Sequence, residues 1–170
     1  MSLTLRALRA DEQEVVFHFL TFAARMPEGG EPIETARTEP RLTKYWEEWG
    51  ARGDYGVVAE DGASSNKIVA LAWVRVLSDE AAQRCSIRDT IPELAIAVEP
   101  EYRGRGIGRL VLEHLIRDLR DRKVAGVCLS VRSDSRAVGL YERLSFAVVP
   151  GGEMTNRIGT QSLVMYLKLQ

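Results

Sequence analysis

Arginine and glycine alternate over residues 103–109, which read Arg-Gly-Arg-Gly-Ile-Gly-Arg. Because glycine has no Cβ, the backbone at Gly104, Gly106 and Gly108 allows a ligand to approach closely. The run follows a strand-like segment and begins a helix-like one. The unpaired N–H groups of a helix's first turn and the positive end of its dipole are therefore expected here. The segment 98–112 predicts an anion site suited to a pyrophosphate.

Three arginines, Arg103, Arg105 and Arg109, accompany these glycines. Basic residues at a helix N-terminus destabilise the helix by up to about 1 kcal/mol each, so three of them favour a bound anion. Two known phosphate loops are excluded. A Walker A loop ends in Gly-Lys-Ser/Thr, whereas Arg and Leu follow the last glycine here. A Rossmann fingerprint needs another glycine spacing and a later acidic residue, which the region around Cys128 does not offer.

The surrounding periodicity predicts the elements that position this turn. Period-2 alternation or short apolar runs indicate strands, and amphipathic stripes indicate helices. The predicted strands cover residues 3–8, 55–60, 68–77, 94–98, 126–131, 146–149 and 162–169. The predicted helices cover residues 12–24, 41–52, 106–122 and 135–144. Asp11 is expected to cap the first helix, and residues 25–40 are expected to be irregular. The order indicates a mixed α/β fold with a β-α-β unit near its centre.

Composition narrows the class of protein. The chain has 170 residues, the length of one ordinary domain. Its 23 basic and 24 acidic residues give a net charge of -1, which supplies no overall attraction to nucleic acid or to an anionic membrane. The cysteines, Cys85 and Cys128, make neither a disulfide framework nor a metal-ligand set. No signal-peptide or membrane-spanning pattern is present, so a cytoplasmic protein is expected.

The glycine-rich turn resembles the acyl-CoA signature of the GCN5-related N-acetyltransferase (GNAT) superfamily, Arg/Gln-x-x-Gly-x-Gly/Ala. Residues 103–108 fit every position, and residues 98–102 fit the family's V-x-P-x-Y/F lead-in. Residues 134–146 resemble the downstream pattern N-x-x-A-x-x-L-Y-E-K-x-G-F. Two departures are Asp134 in place of Asn and Ser145 in place of Gly.

This resemblance implies a fold and an activity. The fold is a single-domain α/β structure with a mixed, mostly antiparallel sheet flanked by helices and a splayed central strand pair. Residues 94–150 would form the acyl-CoA-binding and catalytic core, and residues 1–60 would contribute a wall of the acceptor site. The activity is transfer of an acetyl group from acetyl-CoA to a primary amine, by direct attack in a ternary complex.

The resemblance also assigns residues to the cofactor. The pyrophosphate of acetyl-CoA would receive backbone N–H groups of residues 104–109, and its pantetheine amides would extend the strand at Ile96 and Val98. The expected cofactor-binding residues are Ile96, Ala97, Val98, Arg103, Gly104, Arg105, Gly106, Ile107, Gly108 and Arg109. No metal is expected.

Two further residues are candidates for proton transfer. Tyr141 matches the family's general acid, which donates to the departing sulfur; the alternative is a tyrosine that only packs its helix on the sheet. An alkylamine is almost fully protonated at neutral pH, so a base must remove a proton. Glu93, at the start of the strand beside the expected thioester, is the first candidate, and the alternative is a solvated strand-end carboxylate. Asp89 and Glu101 are weaker candidates.

Several alternatives stay open. The acceptor is a small-molecule amine or a protein amino group, and a homodimer is possible. Glu28, Glu31 and Glu34 either attract a cationic amine or belong to a solvated loop. A noncatalytic acyl-CoA-binding sensor or interaction module would keep the turn without Glu93 and Tyr141. A nucleotide-binding protein would prefer ATP or NAD to CoA.

Overall fold

A computed structural model of the chain describes residues 2–51, 53–77 and 90–170. Two compact units can be distinguished: Met1–Arg75 with Ala95–Leu115, and Val76–Leu94 with Ile116–Gln170. They are called here the first and the second unit. Cys85 and Asp89 lie outside the described residues. A single domain over the whole chain stays a prediction.

The first unit contains three complete strands and the end of a fourth. They are β1 (Leu3–Ala7), β2 (Tyr55–Asp61), β3 (Lys67–Arg75) and the end of β4 (Glu93–Val98). β1 pairs with β2 and β2 with β3, both antiparallel. Beyond the end of β4, Glu99 N–H donates to Val69 O at 2.9 Å. The three predicted strands of this region are confirmed, with ends shifted slightly.

Helix α1 (Gln13–Ala23) is the main helix packed within this unit's core. Its apolar side chains share one buried cluster with residues of β2 and β3; the helix contributes Val16, Phe17, Phe19 and Leu20. The predicted cap was wrong, because the helix follows Glu12 and not Asp11. The longer Glu12 side chain reaches Arg6 at 2.7 Å and accepts the Arg9 N–H at 2.8 Å, whereas Asp11 is exposed.

The segment predicted to be irregular, residues 25–40, contains short helices. They are α2 (Met26–Gly29), α3 (Thr35–Thr38) and the start of α4 (Pro40–Thr43). Pro27 and Pro40 lie in the first turns of α2 and α4. Proline is tolerated there because a helix does not use its first N–H groups. The prolines therefore begin helices in this segment and do not prevent them.

The predicted helix over residues 41–52 was wrong. α4 ends at Thr43, and a series of turns follows to residue 51. The guanidinium of Arg75 donates to three backbone carbonyls in this segment at 2.7–3.1 Å, those of Lys44, Glu47 and Glu48. These bonds compete with the hydrogen bonds that a continuous helix needs. Trp46 and Trp49 still pack in the core, but not from a helix face.

Asp54 completes the coordination of Arg75. Its carboxylate lies 2.8 Å from the guanidinium, and the exposed fractions of the two side chains are 1 % for Arg75 and 0 % for Asp54. A buried ion is tolerated only when it is paired and hydrogen-bonded. The pair therefore stabilises the turns by satisfying a buried cation.

The second unit contains β5 (Gly126–Arg132), β6 (Ala147–Thr155) and β7 (Gln161–Lys168). β7 is antiparallel to both of its neighbours, β5 and β6. β4 is parallel to β5, and the described residues show one register pair between them, Glu93 with Cys128. The predicted splay of this central strand pair stays a prediction. The predicted mixed α/β class, with a mostly antiparallel sheet, is confirmed.

Strand β6 is longer than the predicted strand at residues 146–149. The prediction ended at Val149, whereas β6 runs to Thr155. The observed strand continues through a register shift between Val148 and Glu153. Such a bulge accommodates unpaired residues without ending a strand.

One helix follows the glycine-rich turn, and another follows β5. They are α5 (Ile107–Asp121) and α6 (Ala137–Arg143). Both confirm predicted helices, at residues 106–122 and 135–144. Ser145, just after α6, has φ of 70°, a left-handed conformation that favours glycine. This conformation explains why the family pattern has glycine at that place.

The buried charge pair makes a testable prediction. We expect Asp54→Asn to lower the free energy of unfolding by about 3–5 kcal/mol, because Arg75 would remain buried without its counter-charge. Urea denaturation measures this change. Asp11→Asn is the matched control, since its pair with Arg9 is exposed, and we expect a change of at most about 0.5 kcal/mol. Equal effects of the two variants would contradict this account.

Candidate active site

The glycine-rich turn joins β4 to α5 within the first unit. Gly104 and Gly106 have φ of 76° and 78°, and a Cβ at either position would meet no atom within 4 Å. The space in front of both glycines is therefore open. A Cβ at Gly108 would lie 3.3 Å from Val98 Cγ2. This close approach requires a residue without a bulky side chain, because α5 begins against the end of β4.

The N–H groups of this turn are unpaired. Within the described residues, the first N–H after Arg103 that has a backbone partner is that of Leu110, which donates to Gly106 O at 3.0 Å. In the described part of the chain, the N–H groups of residues 104–109 thus have no backbone acceptor. The positive end of the α5 dipole coincides with them. This arrangement can bind an anion such as a phosphate.

The Arg103 side chain turns back onto the protein. Its Nη1 donates to Glu28 Oε1 at 2.7 Å, and its Nε donates to Val98 O at 3.1 Å. The hydrogen bond from Arg103 lowers the pKa of Glu28 below its usual value. The predicted cofactor residue Arg103 is therefore engaged by a carboxylate and by the last carbonyl of β4.

The other two arginines have nearer partners. Arg105 donates to Glu101 O at 2.9 Å, and Arg109 donates to the Glu113 carboxylate at 2.7 Å, one helical turn away. Both contacts are exposed, so a bound anion can share these cations. The expected cofactor-binding role of the three arginines stays a prediction.

The hairpin of β2 and β3 anchors the residues just before the turn. The Tyr102 hydroxyl donates to Asp61 at 3.3 Å, and Lys67 donates to Glu101 at 2.8 Å. Burial alone would raise the pKa of Asp61, but hydrogen bonds, including those from the Ala63 N–H and from Tyr102, lower it. Glu101, a weaker base candidate, thus already holds an ammonium group. Sequence analysis missed Asp61, because no local pattern relates it to Tyr102.

An open cleft of about 620 Å³ lies beside α1 in the first unit. It is lined by Glu14, Val15, His18, Phe19, Lys67, Ile68 and Glu99. His18 Nε2 lies 2.8 Å from Glu99 Oε1. Sequence analysis missed this pair, since the two residues are far apart in the chain and neither belongs to a motif.

The predicted strand residues before the turn differ in exposure. Ala97 is buried in the core of the first unit, whereas Ile96 and Val98 are half-buried. This alternation is typical of a strand with one face in the core. Their predicted backbone contacts to pantetheine stay a prediction.

Glu93 is the first residue of β4, and its side chain is buried rather than solvated. It is 5 % exposed, and it lies opposite Cys128 in the register of β4 and β5. The alternative of a solvated carboxylate is therefore excluded by its burial. Its role as a base stays a prediction.

Tyr141 is buried on α6, in the second unit. Its ring packs edge-on against Phe146 with 5.6 Å between the centroids, and burial raises the pKa of Tyr141 above its usual value. Its hydroxyl makes no hydrogen bond with the described residues. Among them, Arg132 Nε is the one fully enclosed side-chain nitrogen or oxygen without a hydrogen bond. The proposed role of Tyr141 as a donor to the departing sulfur stays a prediction.

In the described part of the chain, no group of three or more His, Cys, Asp or Glu side chains is arranged to hold a metal ion. Within the same ranges, no helix has both the length and the apolar character needed to cross a membrane.

The mixed, mostly antiparallel sheet and the glycine-rich turn before α5 are features of an α/β protein of the GNAT type. A model of the Acetyltransferase (GNAT) family matches residues 18–146. The chain belongs to this family, as the resemblance implied.

Individual relatives match shorter segments. The [Ribosomal protein bS18]-alanine N-acetyltransferase of Escherichia coli K12 is 41% identical over 83 residues, which are 48% of this chain and 49% of that protein. Serotonin N-acetyltransferase 2, chloroplastic, of Oryza sativa subsp. japonica is 35% identical over 91 residues, 54% of this chain and 41% of that protein. The chain thus spans about half the length of the curated relatives it matches.

Solved structures match along almost the whole chain. The ribosomal-protein-S18-alanine N-acetyltransferase from Escherichia coli has a TM-score of 0.67 and 25% identity, and covers 99% of this chain and 95% of its own. YncA from Salmonella typhimurium, solved with its cofactor acetyl-CoA, has a TM-score of 0.70 at 18% identity, and covers 100% and 95%. The second likeness shows the fold alone.

Proposed function

We propose that this protein is an N-acetyltransferase that moves an acetyl group from acetyl-CoA to a primary amine. The observation that carries the proposal is the turn before α5, with unpaired N–H groups at residues 104–109 and open space before Gly104 and Gly106. Membership of the GNAT family supports acetyl-CoA as the ligand.

The first unit supplies the cofactor contacts in this proposal. N–H groups of residues 104–109 bind the pyrophosphate, and the positive charge of Arg105 and Arg109 strengthens that binding. The backbone at Ile96 and Val98 exchanges hydrogen bonds with the pantetheine amides, as an added strand would. These contacts hold the cofactor by groups that take no part in bond breaking.

Acetyl-CoA supplies an activated thioester. The amine nitrogen attacks its carbonyl carbon, so that an N–C bond forms, the C–S bond breaks and sulfur leaves with the electron pair. Glu93 takes the proton that the ammonium loses before the attack, and the second proton, which the nitrogen loses after the attack, passes to the departing thiolate. Tyr141 donates a hydrogen bond to the departing sulfur; because burial raises the pKa of Tyr141, it stabilises charge on sulfur mainly as a donor rather than by complete proton transfer.

The acceptor is proposed only as a class, a primary amine on a small molecule or on a protein. The names of similar proteins include a ribosomal-protein alanine N-acetyltransferase and a spermidine N-acetyltransferase, which act on amines of both kinds. A cytoplasmic location and a homodimer stay predictions.

Release of free CoA thiol tests the activity. We expect acetyl-CoA with an amine panel to release thiol in an amine-dependent manner, since the C–S bond breaks only when nitrogen attacks. The panel contains a peptide that begins with alanine, spermidine and serotonin, and a thiol reagent measures the product. Acetyl-CoA binding without thiol release from any amine would favour the noncatalytic sensor. A larger thermal shift with ATP or NAD than with CoA would favour a nucleotide-binding protein.

Removal of one hydroxyl tests the role of Tyr141. We expect Tyr141→Phe to lower kcat by about 10²-fold, because a donor to developing charge is lost, and to leave the KM for acetyl-CoA nearly unchanged. Steady-state kinetics measure both constants. Tyr166→Phe, the same change at a half-buried tyrosine of the second unit, is the control. Unchanged turnover of the Tyr141 variant would remove the proposed role.

The pH dependence of the wild-type rate adds a second readout. Because the pKa of Tyr141 is raised by burial, its proton is retained above the ordinary tyrosine pKa of about 10. We therefore expect no loss of kcat between about pH 8 and pH 10 that depends on Tyr141. A fall in this range that is absent from the Tyr141→Phe variant would contradict a retained proton.

A methyl group tests the turn. We expect Gly106→Ala to raise the KM for acetyl-CoA at least about tenfold, because a Cβ would occupy the open space where a phosphate approaches the N–H groups. Gly159→Ala is a matched control: its φ of 81° is similar, and a Cβ there also meets nothing within 4 Å. Both changes carry the same backbone strain, but only the first should alter KM. Similar KM values for both variants would show that the turn does not contact the cofactor.

A further inference from the structure

The Arg103 guanidinium holds two groups of the first unit together. It donates to the carboxylate of Glu28, 75 residues earlier in the chain, and to the last carbonyl of β4 at Val98. Its carbon Cζ also lies 5.9 Å from the centroid of the Phe22 ring, near the end of α1. The side chain therefore connects the glycine-rich turn to the segment that contains α1 and α2.

This contact differs from those of the neighbouring arginines. Arg105 donates to a backbone carbonyl two residues before Arg103, and Arg109 pairs with Glu113 on its own helix. An anion can therefore bind these two arginines without breaking a contact between the turn and a distant helix or strand. An anion that takes hydrogen bonds from Arg103 instead has to share the guanidinium with Glu28.

Helix α2 is short and mostly exposed. It contains four residues between two left-handed ones, Arg25 with φ of 56° and Gly30 with φ of 65°. Met26 is buried, but the rest of α2 is exposed. Short exposed segments with a strained residue open at low free energy. The ion pair of Glu28 with Arg103 is thus well placed to hold α2 closed.

We propose that Glu28 competes with the pyrophosphate of the cofactor for Arg103, so that CoA binding releases the carboxylate and loosens α2. The inference rests on the proposed function, because it requires CoA to bind at the glycine-rich turn. Glu28 acts here through Arg103, as a residue that sets cofactor affinity, and not as a catalytic residue.

The strength of the contact suits such an exchange. The exposed fractions are 42% for the Arg103 side chain and 38% for Glu28, and ion pairs with this exposure are weak. A phosphate offers Arg103 stronger, charge-assisted hydrogen bonds than an exposed carboxylate does. Glu28 should therefore lower the affinity for CoA only modestly, and its removal should raise it.

Calorimetric titration with coenzyme A tests the competition. We expect Glu28→Gln to lower the Kd for CoA about two- to fivefold, the range that an exposed ion pair allows. Glu34→Gln is the matched control, because it removes the same charge from the same segment while its nearest cation is Arg37, at 3.8 Å. An equally large change of Kd in the control would show that the effect comes from the change in net charge and not from the contact with Arg103. That result would overturn the proposal.

A double-mutant cycle separates competition from a structural role. Arg103→Gln keeps a residue that the family signature accepts, and it removes the charge for which Glu28 and the phosphate compete. We expect Glu28→Gln to have no effect on the Kd for CoA in that background. An equal effect in both backgrounds would show that Glu28 does not act through Arg103.

Amide hydrogen exchange measures the release of α2. The N–H groups of Gly29, Gly30 and Glu31 donate to carbonyls of Arg25, Pro27 and Met26. We expect CoA to speed the exchange of these amides in the wild-type chain and to leave it unchanged in the Glu28→Gln variant. Slower exchange on CoA binding would mean that the cofactor closes α2, and would overturn the proposal.

The outcomes distinguish this inference from the proposed function. If CoA does not bind the wild-type chain at all, the proposed function fails with it. If CoA binds but Glu28→Gln has the same or a higher Kd, the competition is wrong, and the acetyltransferase proposal is not affected.

Discussion

Unpaired N–H groups at the start of α5 are the constraint on which the candidate site depends. A helix start normally finds a capping side chain or solvent, but here two left-handed glycines direct N–H groups into open space. Arginines increase the positive charge at the end of the dipole that already disfavours them. A bound anion removes this conflict. In the proposed function, the stability of the turn and phosphate binding thus have the same physical origin.

The rest of the first unit holds that turn in place. Core residues of α1 pack with those of β2 and β3, and the Asp61 carboxylate fixes Tyr102, one residue before Arg103. The buried Arg75 organises residues 44–48 as turns around its guanidinium. These buried polar groups therefore stabilise the structure by hydrogen bonding. Each one bonds to backbone or side-chain groups that have no partner nearby in the sequence.

Charge is balanced locally as well as overall. The net charge of -1 hides the arginine cluster of the turn, and within that cluster Arg103 and Arg109 have carboxylate partners. In the proposed competition, the ligand takes the place of Glu28 as an acceptor for Arg103. Electrostatic attraction alone is a poor description of it, because desolvation and the loss of the protein's own ion pairs oppose binding.

Local sequence determined the strands, the main helices, the glycine-rich turn and the family, because period-2 and helical patterns and motif spacing are properties of neighbouring residues. It did not determine the structure of residues 41–52. Their sequence pattern predicts a helix, but hydrogen bonds from Arg75, a residue of a later strand, favour turns. It also did not show that Glu28 meets Arg103 or that His18 meets Glu99. Residues so distant in the chain come into contact only because the packing of helices and strands brings them together. That packing is a property of the tertiary structure.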